Sequence, residues 1–122
     1  EGWKDEVRAE FDRNMHNGHV GTTLLLENER VRVWEIKLAP GERLPAHRHQ
    51  LDYFWTAVTP GRFLQRTFDG TSWENDYDAG LTFYADVAEG EFTVHDLENV
   101  GPDEMVFTTC EFKNSANPPL AL

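Results

Sequence analysis

Two hydrophobic periods divide the chain. In "GWKDEVRAEFDRNMHNGHVG" the apolar residues Trp3, Val7, Phe11 and Met15 recur at every fourth position, with charged residues between them. That stripe predicts a short amphipathic helix within residues 1–20, stopped by Asn17-Gly18. So short a helix is marginal alone; its stripe must dock on the rest of the domain or on a neighbouring subunit. From residue 22 the period becomes two. In "RVRVWEIKL" Trp34, Ile36 and Leu38 share one face, and Val31 and Val33 share the other. Turn signals at Pro40-Gly41, Pro60-Gly61, Asp69-Gly70, Asp78-Ala79-Gly80, Glu89-Gly90 and Gly101-Pro102 punctuate the rest of the chain. Between them lie "HRHQLDYFWTAV", "RFLQRTF", "TSWENDY", "LTFYADV", "EFTVHDLENV" and "MVFTTCEFK". Short strands spaced by roughly ten residues predict an all-β sandwich or barrel over residues 21–122. The tail "NSANPPLAL" is expected to be extended, because Pro118-Pro119 cannot continue a central strand.

Composition narrows the partners. The chain has 122 residues, the size of one domain, and a formal net charge of -11. Its isoelectric point is near 4.7. Such a surface repels phosphate backbones and anionic lipids, so neither nucleic acid nor a membrane is expected as a partner. No apolar run approaches the ~20 residues of a membrane span, and no secretory pattern is visible. The single cysteine, Cys110, reads as a packed strand residue and permits no intrachain disulfide. A reducing, cytoplasmic location is the expectation.

Five histidines carry the candidate chemistry: His16, His19, His47, His49 and His95. Residues i and i+2 of a strand point to one side, so His47 and His49 project together, near enough to chelate one ion. His95, in the apolar-alternating "EFTVHDLENV", is the natural third ligand from another strand. The competing reading is a set of exposed or hydrogen-bonded imidazoles. His16 and His19 flank the helix stop, where histidine suits the carbonyl end of the helix dipole.

The order Pro40-Gly41, His47-x-His49, Pro60-Gly61, Gly80, then His95-x-x-x-Asn99 resembles the two signature motifs of the cupins, over residues 30–113. More narrowly the chain is similar to small single-domain cupins of the conserved-barrel type, some of which lie beside β-alanine degradation genes. The resemblance implies an antiparallel jelly-roll β-barrel, usually dimeric, so a homodimer is expected. It implies His47, His49 and His95 as ligands to a divalent transition metal, with iron first and zinc, nickel, manganese or cobalt as alternatives. Two departures stand out. The glutamate that comes after the histidine pair in the family is replaced by Tyr53 or Phe54, and Asp52 has the wrong parity unless a bulge re-aims it. The second motif has Glu89 at its usual proline position and a longer spacing to His95.

Three neutral imidazoles leave a divalent ion its full charge, which suits a bidentate anionic ligand. Some cupin oxygenases acting on diketones or thiols resemble this pattern. The leading expectation is an iron(II)-dependent oxygenase-like enzyme acting on a small organic acid, diketone or thiol. The alternatives are a non-catalytic small-molecule-binding cupin and a metal-dependent isomerase or lyase. Tyr53 is the catalytic candidate. Counted along one strand it shares the parity of the histidines, so its phenol is a weak ligand, a proton donor or a supporting hydrogen bond; a satisfied strand tyrosine is the competing reading. Trp55 shares that inward parity and Phe54 opposes it. Arg48 and Gln50 are expected to face away, Arg66 is a candidate for a substrate carboxylate, and Asn99 reads as a turn residue.

Overall fold

The computed structural model describes residues 4–122, so Trp3, the first residue of the expected helical stripe, lies outside the described residues. One helix, α1 (Asp5–Arg13), precedes nine strands. These are β1 (Thr23–Glu27), β2 (Val31–Leu38), β3 (Arg43–His49), β4 (Asp52–Ala57), β5 (Gly61–Arg66), β6 (Ser72–Tyr77), β7 (Thr82–Ala85), β8 (Thr93–Asn99) and β9 (Met105–Phe112). They form two antiparallel sheets, a five-stranded one ordered β1-β2-β9-β4-β7 and a four-stranded one ordered β3-β8-β5-β6. The jelly-roll expectation is met. No helix among the described residues is long and apolar enough to cross a membrane.

Alternation builds the space between the sheets. In β2, Trp34, Ile36 and Leu38 are buried, and in β9 Met105, Phe107, Thr109 and Glu111 are buried, while their neighbours in sequence are more exposed. Ile36, Leu38, Leu44, Ala57, Phe63, Tyr77, Met105 and Phe107 make one continuous core, with Trp55 and Leu97 against it. The turn glycines act as expected. Gly80, at φ 93°, takes a conformation that side chains disfavour, and its N–H donates to Ala57 O at 2.7 Å where β7 returns toward β4. The leucines of β1 depart from alternation: every residue of this edge strand is exposed.

The helix docks on its own barrel. Phe11 is buried with Ala46 of β3 and Val94 of β8, flanked by Val7, Met15 and Phe92. Strand β3 is an edge of its sheet, with backbone groups lacking a strand on that side. Residues 10–17 supply the missing partners. Glu10 Oε2 accepts from Ala46 N–H at 2.9 Å, Asn14 and Asn17 side-chain amides donate to Ala46 O at 3.1 and 2.9 Å, and Asn17 O accepts from Arg48 N–H at 2.7 Å.

Candidate metal centre

The histidine pair faces inward because of a bulge. Along β3, Leu44 pairs with Leu97 and His47 with His95, so Pro45 and Ala46 together oppose Asp96 alone. The extra residue, at Pro45-Ala46, reverses the parity, and Leu44, His47 and His49 all turn into the barrel. Ala46 is the position whose N–H and C=O are bonded by the helix segment. Asn17→Ala removes one donor to Ala46 O and also the acceptor of His19 N–H. It is expected to lower unfolding free energy by about 1–2 kcal/mol, read as a shift of the urea midpoint at constant slope.

His47, His49 and His95 come together with one nitrogen from each within 4.8 Å of the others. Ring centroids are 5.1 Å apart for His47 and His49, 4.7 Å for His47 and His95, and 4.9 Å for His49 and His95, with the rings near perpendicular. They enter a cavity of about 30 Å³ whose other walls include Val20, Ile36, Trp55, Phe107 and Thr109. That space suits an ion with one or two waters. Burial pushes the His47 pKa down to about 4, against the opposing effects of its Pro45 hydrogen bond and the Asp96 charge. Burial, then repulsion from neighbouring imidazoles, holds His49 and His95 well below the ordinary range. All three are therefore neutral near pH 7, the form that offers a lone pair.

The hydrogen bonds fit a metal. His47 Nδ1 lies 2.8 Å from Pro45 O, an acceptor only, so Nδ1 carries the proton and Nε2 is left with its lone pair. His49 Nδ1 is buried without a hydrogen-bond partner. Buried polar atoms are rarely left so, and a set of soft-to-borderline nitrogen donors is what a divalent transition metal takes. His16 and His19 stand outside this cluster; His19 meets the edge of Trp34 at 5.7 Å.

The parity count for Tyr53 fails, since the chain turns at Gln50-Leu51 and passes from the four-stranded to the five-stranded sheet. Tyr53 is nonetheless inward, 4% exposed, and its ring lies flat against His49 at 3.9 Å and 16°. It meets the histidine cluster through that ring face, and it is Trp55 that lines the histidine cavity. Burial, with the Glu111 charge adding, pushes the Tyr53 phenol up to about 12, so it stays protonated. Arg66 is not available to a substrate carboxylate: it is spent on Asp96 at 2.9 Å and Glu98 at 2.9 Å. Arg48 turns outward as expected and covers the Phe92 ring at 3.7 Å. Asn99 accepts from Gly101 N–H at 3.0 Å and donates to Asp103 O at 2.8 Å, as a turn residue would, but it also donates to Leu38 O of β2 at 3.0 Å, 61 residues away.

Glu111 is a buried polar residue that the motifs do not single out. It is 3% exposed, accepts from Trp34 Nε1 at 2.8 Å and sits opposite Tyr53 and Arg32 on the inner face of the five-stranded sheet. A signal for it exists, because strict alternation through "MVFTTCEFK" puts Glu111 on the face of Met105 and Phe107.

Two antiparallel sheets close on a cluster of three buried histidines that could hold a metal ion. Comparison with solved structures gives the family. A cupin domain from Bordetella pertussis Tohama I is 32% identical, with 75% of this chain and 90% of that chain covered at a TM-score of 0.65. The chain belongs to the cupin family. A double-stranded β-helix protein from Klebsiella pneumoniae is similar at 24% identity, with 82% of each chain covered and a TM-score of 0.61. A protein from Bacillus halodurans shares the fold at 17% identity, with 100% of this chain and 85% of that chain covered and a TM-score of 0.60. No protein-family model matches the chain, and no curated protein matches it.

Proposed function

We propose that this cupin is a metal-dependent enzyme in which His47, His49 and His95 hold one divalent transition metal, iron foremost, and that it oxygenates a small organic acid, diketone or thiol. The observation that carries the reading is the cluster of three neutral imidazoles, one with a partnerless buried nitrogen. Iron bound there would supply a Lewis-acidic, oxygen-reactive centre whose dipositive charge no ligand carboxylate reduces. The residues around it orient and exclude. Pro45 fixes the His47 tautomer, the flat contact of Tyr53 holds the His49 ring, and Ile36, Trp55 and Phe107 keep bulk water from the cavity. Tyr53 thus acts through His49 as a positioning residue.

Elemental analysis of protein purified without chelators tests this, with a His47→Ala/His49→Ala variant beside it. Near-stoichiometric metal in the parent and none in the variant is the expected result, followed by oxygen uptake when the iron-loaded parent meets a chelating diketone or thiol. A parent that takes up no metal after incubation with iron(II), zinc, nickel, manganese or cobalt would remove the ligand assignment. Metal binding with turnover that needs no oxygen would remove the oxygenase reading alone.

A further inference from the structure

A second recess lies on the other side of the Tyr53–His49 stack. Tyr53 lines it, with Phe83 of β7, Phe92, and Asp86, Val87 and Glu91 of the segment that leads into β8. Its volume is about 280 Å³ against about 30 Å³ for the histidine cavity, which leaves room for a compact organic ligand in the recess. Three features mark it as built to bind.

The first is an unanswered polar group. Tyr53 is 4% exposed and lines the recess, and none of the side-chain hydrogen bonds seen among the described residues involves its hydroxyl. A phenol hydroxyl facing such a recess wants a polar atom opposite it. The second is the chemistry of the walls. Phe83 is 47% exposed and offers its ring to the recess, and no Lys, Arg or His lines the groove, although Arg48 covers one face of Phe92. Asp86 and Glu91 take part in no ion pair among the described residues, and Asp86 Oδ1 accepts only the neutral Tyr84 hydroxyl, at 2.7 Å. Aromatic faces next to carboxylates attract an organic cation and repel an anion. A net charge of -11 adds long-range attraction of the same sign. The third is rigidity. Val87 N–H donates to Asp52 Oδ1 at 2.8 Å, Gly90 N–H donates to Asn117 Oδ1 at 2.8 Å, and the Asn117 amide donates to Gln50 O at 3.0 Å and Ala88 O at 2.9 Å. The wall that carries Asp86 and Glu91 is therefore pinned to the β3–β4 turn and the C-terminal tail before any ligand arrives, which lowers the ordering cost of binding.

We propose that this groove is a binding site for a small organic cation, an ammonium on a compact apolar body. The apolar body packs on Phe83, and the ammonium lies between the Tyr53 hydroxyl oxygen and the Asp86 and Glu91 carboxylates. The site shares the Tyr53–His49 stack with the histidine cluster but uses none of its nitrogens.

The test is an amide-resolved NMR titration at neutral pH with 2-phenylethylammonium, and with 3-phenylpropanoate as an anion of similar shape. The ammonium is expected to shift residues 83–93 saturably, and the carboxylate is expected not to. An Asp86→Asn/Glu91→Gln variant should bind the ammonium about tenfold more weakly, since loss of two charges removes on the order of 1.4 kcal/mol. Tyr53→Phe, which keeps the ring stack, should weaken it about threefold. The His47→Ala variant, which keeps the Tyr53–His49 stack, should bind it as the parent does, so failure of the metal reading leaves this result standing. Equal binding of both probes, shifts confined to other residues, or no saturable shift up to the solubility of the ammonium would overturn the proposal.

Discussion

Asp96→Ala is expected to cost about 3–5 kcal/mol of unfolding free energy, the range for removing one partner from a buried charge network. Asp96 is fully buried, and its two oxygens accept from Arg43 Nη2 at 2.7 Å, Arg66 Nη1 at 2.9 Å and the Arg66 N–H at 2.8 Å. Arg43 in turn makes a fork to Glu10 of α1, at 3.0 and 2.8 Å. One carboxylate thus ties β8 to β3, to β5 and, through Arg43, to the helix. Burial works against the Arg43 charge, yet hydrogen bonds to Glu10 and Asp96 outweigh it and hold its pKa above the ordinary value. Alanine at 96 would leave two guanidinium groups close together and a strand N–H without an acceptor. Asp96→Asn keeps an acceptor and loses the charge, so it should fall between parent and alanine. Urea denaturation of all three at constant slope reads the order. A cost below about 1 kcal/mol for the alanine variant would mean that Glu10 and Glu98 satisfy the arginines unaided, as a solvent-exposed pair would.

Much of the barrel was legible because its signals are local. Alternation in β2 and β9, and the turn glycines, are set by sterics a few residues long. His47-x-His49 and His95 were legible for the same reason, since strand parity and a small motif suffice to bring candidate nitrogens to one face. The features that escaped depend on breaks of parity and on long-range pairing. Pro45 in "LPAHRH" fits an edge strand or a bulge without choosing between them; the extra residue at Pro45-Ala46 is held by Glu10, Asn14 and Asn17, some thirty residues earlier in the chain. Reading "HRHQLDYFW" as one strand hid the change of sheet at Gln50-Leu51, so Tyr53 reached His49 by a route that the count did not describe. Arg66 looked free because Asp96 and Glu98 lie about thirty residues away. Alternation did place Glu111 inside, but a carboxylate on an apolar face reads as an exception until Trp34 Nε1, 77 residues away, is seen to donate to it.

Glu111→Gln is expected to become stabilising relative to the parent as pH rises, by about 3 kcal/mol between pH 4.5 and pH 8. Burial raises the Glu111 pKa from 4.5 to about 7; the Trp34 hydrogen bond and the Arg32 charge oppose the shift, and the Glu27 charge adds a little to it. Below pH 4.5 the carboxyl is protonated both folded and unfolded, so it contributes no pH dependence. Between 4.5 and 7 the unfolded chain releases its proton while the folded chain keeps it, and folding loses stability with every step in pH. Above 7 both states are ionised and the penalty is constant. Glutamine is neutral throughout and keeps an oxygen for Trp34 Nε1, so it escapes the penalty. The parent's own curve is unsuited to this reading, because the buried histidines act in the opposite direction: their lowered pKa values cost stability as pH falls below the ordinary histidine range. Those histidines are common to both proteins, and their effect cancels in the difference between them. Parallel denaturation of the two at pH 4.5, 6, 7 and 8 therefore isolates one carboxyl. A difference that stays flat across this range would mean that Glu111 remains ionised in the fold, with Arg32 as an effective counter-charge rather than a neighbour outweighed by burial.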